Sequence, residues 1–379
     1  MRPIWAEISR SALRHNLKAI RQHIGDKITI CAVVKADAYG HGSVGCARVL
    51  EAEGVDWFGV TGTEEGVRLR EGGIRGRVLL LSGFWQGEAE EVIHQRLTPA
   101  AYDLWQIAAL EQAAAKLNLA EPFRFHLKID TGMSRLGINM NDLPKALEQI
   151  RQSPHLKFEG AFSHLASAEV LDSAAMAEQE ANFDYARETI VSYGLNPGYL
   201  HLANTSGMIG RPEARFNMVR PGLALYGYTL PFIRNHAPAT ILPYVDLKPA
   251  LSWKTRIVSL RDLPSGRSVG YGGTYVTTRS TRIGVLPVGY ADGLNRALSG
   301  KGCFHTRGHK VPILGRVSMD LTVVDVTDIP EAALGDEVCL IGGFNGCSVT
   351  AWDHAKLAHT IPYEILCNIS KRVLRQLVD

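Results

Sequence analysis

The chain has 379 residues, 46% of them hydrophobic, enough for more than one core, so two domains are expected. Lys and Arg number 41 against 38 Asp and Glu, a net charge of +3 with no sustained basic stripe. That argues against nucleic acid or a membrane surface and for a small-molecule partner. The first residues lack a charged start followed by an apolar leader core, and no apolar run is long enough to span a bilayer, so a soluble, cytoplasmic protein is expected.

In chain order, Trp5 to Ile8 reads as a short strand. Ser9 then caps a helix with Leu13, Leu17, Ile20 and Ile24 on one face. The run from Ile28 to Gly45, ITICAVVKADAYGHGSVG, reads as a parallel strand buried on both faces and ending on Lys35. Further strands are predicted at Trp57–Thr61, Val78–Ser82, Thr98–Tyr102, Phe123–Asp130, Phe158–Leu165, Tyr199–Asn204 and Met218–Tyr226, with helices such as Leu104–Leu117 and Met176–Tyr193 between them. With the lysine strand this makes eight strand-helix units, the number that closes a parallel (β/α)8 barrel.

From about Leu251 the pattern changes to short β-branched runs separated by Gly, Pro and Asp, at Arg256–Leu260, Thr281–Pro287, Val311–Leu314, Leu321–Val326 and Glu337–Ile341. The expected architecture is a barrel over residues 9–242 and a mostly β domain over 243–379, with strand 1–8 joining the second domain. The proline-bearing stretch Pro231–Pro249 is the expected connection. Six cysteines, at 31, 46, 303, 339, 347 and 367, lack metal-ligand spacing. Cys31, Cys339 and Cys367 lie among apolar residues and read as structural thiols. His305 and His309 are four apart, but HTRGHK contains Gly and reads as a turn between strands, so no metal site is expected.

The chemistry-bearing residues sit where these strands end. A lysine delivered to the carboxyl rim of a parallel sheet, as Lys35 is, could form a Schiff base, although a lone strand-end lysine is more often simply solvated. The loop after Phe123–Asp130 presents Arg135, whose fork could hold a carboxylate; a surface arginine is the bland alternative. His164 ends another strand, where a hydrogen-bonded core histidine is the commoner outcome. Asn204, Thr205, Gly222 and Leu223 fall on the last two strands, where such barrels often hold phosphate, and ordinary turn chemistry explains them equally well. Tyr271 lies in the glycine-rich SVGYGGTY, where an aromatic usually just packs.

Taken together, VVKADAYGHG, HLKIDTGMSRLGIN, FSHLASAE, HLANTSG, VRPGLALYG, SVGYGGTY, LPVGYADG, GRVSMD and PYEILCNIS run in order from Trp5 to Ser370 and closely resemble the alanine racemase family. The resemblance implies a pyridoxal 5'-phosphate enzyme interconverting L- and D-alanine, with Lys35 as cofactor lysine and first base and Tyr271 as second base. Racemisation removes a proton from one face of Cα and delivers another to the opposite face, so two groups on opposite sides are the natural solution. It further implies that Tyr39 and Tyr363 reach the phosphate and that Arg135 contacts cofactor and substrate. Lys128 would be carbamylated and pair with Arg135, His164 would act as an orienting residue, and Arg220 would face the ring nitrogen. The backbone at Met319 would touch the substrate carboxylate. Glu169, Tyr290, Arg296 and Arg316 would shape the entrance, with Glu169 standing where aspartate is more usual. A homodimer with shared active sites is implied as well. The neighbouring readings are a broad-specificity amino-acid racemase, a non-enzymatic pyridoxal-phosphate carrier and a basic amino-acid decarboxylase. The carrier would end after the barrel, and the glycine-rich phosphate loop and cysteine-bearing motif of the decarboxylase are absent.

Overall fold

The computed structural model describes residues 2–235, 242–344 and 347–379. It divides into two compact units, one of residues 1–12, 39–42 and 249–379 and the other of 13–38 and 43–248. Part of the expected connection, residues 236–241, lies outside the described residues.

The larger unit is a nearly closed parallel barrel wrapped by helices. After β1 (Ile4–Ser9), its strands are β2 (Thr29–Val33), β3 (Trp57–Val60), β4 (Arg77–Leu80), β5 (Thr98–Ala101), β6 (Phe123–Asp130), β7 (Leu156–Phe162), β8 (Tyr199–His201) and β9 (Met218–Val219). They run in the order β9-β2-β3-β4-β5-β6-β7-β8. β2, β3 and β5 are buried almost throughout, as the continuous apolar runs predict for strands covered on both faces. The Arg10–Ile24 helix buries Leu13, Leu17, Ile20 and Ile24, and the Ser9 hydroxyl accepts from the Ala12 amide at 3.0 Å.

Two barrel strands are shorter than their apolar runs. The strand expected over Met218–Tyr226 stops at Val219. Pro221 still accepts from the Val33 amide at 2.9 Å, but proline has no N–H with which to continue a ladder, and Leu223–Tyr226 winds into a 3-10 turn. Tyr199–Asn204 likewise ends at His201, because Asn204 caps the short Thr205–Gly210 helix by accepting from the Gly207 amide at 3.0 Å.

The smaller unit is mostly β. One sheet places Ile4–Ser9 between Leu374–Val378 and Leu251–Arg256, then continues through Glu337–Phe344 and Cys303–Thr306 to His309–Pro312. A second joins Ser259–Leu263, Thr281–Leu286 and Thr322–Asp325, and a two-stranded ribbon pairs Ser268–Val269 with Tyr275–Val276. The run Arg256–Leu260 is thus not one strand. The chain changes sheets there: the Ile257 amide bonds Asp336 O and the Val258 amide bonds Val285 O, both at 2.9 Å. HTRGHK forms a hairpin whose turn residues, Arg307 and Gly308, both have positive φ.

Cys31, Cys46 and Cys339 are buried, and burial pushes the Cys31 and Cys339 thiols up to about 12. Cys367, by contrast, is exposed rather than packed among the apolar residues that flank it, because it occupies the outer face of the Pro362–Cys367 helix. The side chain of Cys347 lies outside the described residues. Among those residues, no helix is long and apolar enough to cross a membrane.

Candidate active site

In the barrel unit, β2 carries the chain to Lys35, and the backbone then does something the sequence does not announce. Ala36, Asp37, Ala38 and Tyr39 all lie in the left-handed region, with φ of 50°, 53°, 56° and 54°. Each such non-glycine residue costs about 1–2 kcal/mol, so the turn must be held. The Glu65 carboxylate accepts from the Ala36 amide and the Thr61 amide, both at 2.7 Å. Asp37 accepts from the Ser43 amide at 2.8 Å, and the Ala38 amide bonds Val34 O at 2.8 Å. Sequence reasoning missed Glu65. Its only signal was an acid in the first turn of the Thr63–Glu71 helix, a position many helices fill for their dipole.

Around the same rim stand Lys128, Arg135, His164 and Arg220. Lys128, inside the barrel on β6, donates to Leu81 O at 3.0 Å. Burial, reinforced by Arg220, Arg135 and Lys35 and opposed by Asp130, lowers its amine to about 7. Much of it is therefore neutral at neutral pH. Arg135 is exposed on a loop organised by Asp130, whose Oδ1 accepts from the amides of Gly132, Met133 and Ser134 at 3.0 to 3.1 Å. The loop closes through Gly137, where any Cβ would lie 2.4 Å from the Asp130 nitrogen.

Arg220 is 3% exposed. It donates to His201 Nδ1 at 2.7 Å and to the carbonyls of His201, Ser163 and Leu202 at 2.8, 2.6 and 3.1 Å, with His164 Nδ1 at 3.4 Å. Burial and then Arg220 hold the His164 and His201 rings well below the usual histidine range, so both are neutral. Thr205 Oγ1 accepts from the Gly222 amide at 3.0 Å, which leaves its own proton to donate, whereas the Asn204 side chain is committed to its helix cap and to Leu165 O. Leu223 is buried at the start of the 3-10 turn, and Glu169 is half-buried, its carbonyl accepting from the Ile233 amide at 3.1 Å.

The remaining predicted residues lie in the β unit. Tyr271 is 75% exposed on a turn whose glycines, 270, 272 and 273, all have positive φ. A Cβ on Gly272 would come within 2.8 Å of the exposed Arg316 guanidinium, so Tyr271 and Arg316 are neighbours and line one cleft with Arg267 and Ser318. Gly289 lets the next loop approach just as closely, since a Cβ there would sit 2.2 Å from Ser318 O. The Tyr290 and Ala291 amides accordingly bond Ser318 O and Met319 O at 3.0 Å, bringing Tyr290 beside Met319. Arg296 is exposed on the turn that follows. The Tyr39 and Tyr363 rings lie 5.6 Å apart, and a Cβ on Gly40 would meet Leu366 O at 2.2 Å. The predicted residues therefore form two groups, one on the barrel rim and one in the β unit.

The barrel group is rich in cations, with Lys35, Lys128, Arg135 and Arg220 close enough to raise one another's cost and Asp130 opposing them. That donor set suits an anionic, phosphate-bearing group with an electrophilic carbonyl for a lysine amine.

Comparison with known proteins points to one family. Residues 8–230 match the alanine racemase N-terminal domain, and residues 250–377 match the alanine racemase C-terminal domain. The alanine racemase of Symbiobacterium thermophilum is 40% identical over 375 residues, covering 99% of this chain and 97% of the relative. That of Halothermothrix orenii is 38% identical with the same coverage. Among solved structures, alanine racemase from Clostridium difficile superposes with a TM-score of 0.88 at 33% identity, covering 99% of this chain and 95% of that one. The Bacillus anthracis enzyme with bound L-Ala-P does so with a TM-score of 0.90 at 28% identity, covering 100% and 96%. With both domain families matched in order along nearly its whole length, the chain belongs to the alanine racemase family and is an amino-acid racemase.

Proposed function

We propose that the protein interconverts L- and D-alanine with pyridoxal 5'-phosphate, using Lys35 and Tyr271 as its two bases. The observation that carries this reading is the cation-rich rim around Lys35, together with relatives that bear the name alanine racemase over nearly their full length. The cofactor, when bound, supplies the electron sink that acidifies the substrate Cα–H. Lys35 holds it and moves the proton on one face of Cα; the Tyr271 hydroxyl serves the opposite face. Thr205, Gly222, Leu223, Asn204, Tyr39 and Tyr363 would hold the phosphate, with Thr205 contributing its free O–H.

Arg220 would face the ring nitrogen. A buried guanidinium stays charged there, so Arg220 would leave that nitrogen unprotonated and keep the electron sink weak, which would favour racemisation over transamination. Carbon dioxide added to the neutral Lys128 amine, with one amine proton released to solvent, would make a carbamate anion that pairs with Arg135, and Arg135 and the Met319 backbone would receive the substrate carboxylate. His164 orients its neighbours, while Glu169, Tyr290, Arg296 and Arg316 restrict the entrance to small side chains.

Because the two bases belong to different units of the chain, we place each active site between two subunits of a homodimer, with Lys35 from one and Tyr271 from the other. Supply of D-alanine for peptidoglycan, or its catabolism, in the cytoplasm is the matching role. The deciding experiment incubates the enzyme with L-alanine in deuterated water. Formation of D-alanine carrying deuterium at Cα is the expected result; gas release would indicate a decarboxylase, and no turnover a carrier.

A further inference from the structure

The barrel interior holds a polar chain where such barrels ordinarily stack branched aliphatic side chains. It starts at Arg220 on the rim, passes through His201 on β8 and His126 on β6, and ends at Glu159 on β7 near the amino ends of the strands. His201 and His126 are fully buried, and Glu159 is 6% exposed. Arg220 Nη1 lies 2.7 Å from His201 Nδ1, His201 Nε2 lies 2.9 Å from His126 Nδ1, and His126 Nε2 lies 3.7 Å from Glu159 Oε2. The last separation is electrostatic rather than a full hydrogen bond.

These contacts permit one arrangement of protons. A guanidinium can only donate, so His201 Nδ1 accepts and its proton sits on Nε2. That N–H points at His126 Nδ1, which therefore accepts as well, leaving the His126 proton on Nε2, facing the carboxylate. Glu159 is well placed to receive it: Arg77 pairs with it at 2.8 Å and Arg124 at 3.0 Å. Burial raises the Glu159 carboxyl, but His126 and the two arginines outweigh it and hold it at about 2, so it is an anion. The chain is built for these rings. A Cβ on Gly160 would lie 2.5 to 2.8 Å from three atoms of the His126 imidazole, and Phe162 stacks on His201 at 4.6 Å.

We propose that His126 and Glu159 are positioning residues for Arg220, acting with His201 as a proton-ordered relay that ties the rim guanidinium to a carboxylate at the barrel floor. Its effect is on the His201 tautomer. With Glu159 anionic, the relay runs in one direction and His201 offers Arg220 a lone pair. If Glu159 became an amide, its N–H could face His126 Nε2, the chain could reverse, and an N–H of His201 would confront an N–H of Arg220. The three carbonyls would still anchor the arginine, so substrate binding should survive while its hold on the ring nitrogen loosens. This rests on the reading of Arg220 as the residue beside that nitrogen.

The test has two arms. In the first, 15N-histidine-labelled holoenzyme should show His126 and His201 both neutral and protonated on Nε2; Nδ1–H on either ring overturns the relay. In the second, Glu159→Gln should lower kcat for alanine racemisation about tenfold, as loss of an outer-shell partner commonly does, with KM within roughly twofold. Pyruvate formed per racemisation should rise, and Glu159→Asp should recover part of both. Wild-type kcat and pyruvate ratio in a folded Glu159→Gln enzyme overturn the proposal. If Glu159→Gln does not fold, the tautomer measurement decides. Failure of the wild-type enzyme to racemise alanine would instead sink the functional reading, with the labelled spectrum still deciding whether the relay exists.

Discussion

Replacing Glu65 tests whether the left-handed turn after Lys35 is held from outside itself. Four consecutive residues in that conformation cost roughly 4–8 kcal/mol in all, at about 1–2 kcal/mol each. The carboxylate of Glu65 binds two amides at 2.7 Å, one of them on Ala36. A hydrogen bond to a charged group is worth about 1.5–3 kcal/mol, and because Ala36 is exposed the low end applies. Glu65→Gln keeps one acceptor and turns an N–H toward the other amide, so it should weaken the turn by about 1.5 kcal/mol, and Glu65→Ala by about 3 kcal/mol. Native-state hydrogen exchange reads this directly. Protection at Ala38, whose amide bonds Val34 O, should fall about tenfold in the first variant and on the order of a hundredfold in the second, while the barrel strands keep theirs. Wild-type protection at Ala38 in both folded variants would refute the reasoning, since the turn would then be stable on its own local contacts.

Four further outcomes follow from the same geometry. Borohydride treatment of the purified enzyme should fix pyridoxyl label to Lys35, and label on another lysine would end that assignment. Labelled bicarbonate should exchange into Lys128, whose amine is lowered to about 7, and Lys128→Ala should raise KM through an unheld Arg135; a spectrum showing an unmodified lysine rejects it. His126, His164 and His201 have folded-state values below that of the unfolded chain, so the unfolded state binds more protons. Stability should therefore fall as pH drops below about 6.5, and a urea midpoint that holds steady from pH 7 to pH 5 contradicts this. Mixing inactive Lys35→Ala and Tyr271→Phe chains after dissociation should restore activity if sites are shared, because one site of each mixed dimer is then intact; no recovery means that each site is built within one chain.

The parts of this protein legible in its sequence are those set by local burial and period. Phe123–Asp130 is a strand at the bounds expected, because its apolar alternation and flanking turn residues act over a few neighbours. The capping Ser9 with its Leu13, Leu17, Ile20 face, and the eight strand-helix units, rest on equally local signals. The roles proposed for Lys35 and Tyr271, by contrast, rest on likeness to a family. Taken alone, a strand-end lysine and a tyrosine among glycines read as solvation and packing.

Other features depend on partners far apart in the chain, which folding alone brings together. Of Ala36-Asp37-Ala38-Tyr39 only Asp37 is of a type that visits the left-handed region readily, and never in runs, while alanine and tyrosine pay its full cost; an acid 29 positions away helps hold the turn. The polar chain inside the barrel was equally hidden. Its members lie on separate strands, His126 and His201 being 75 residues apart, and in the sequence Glu159 is a lone acid beside apolar neighbours, its partners far off in the chain. A histidine or glutamate can be buried only where its hydrogen-bonding atoms find partners, and closure of the barrel is what brings those partners within reach.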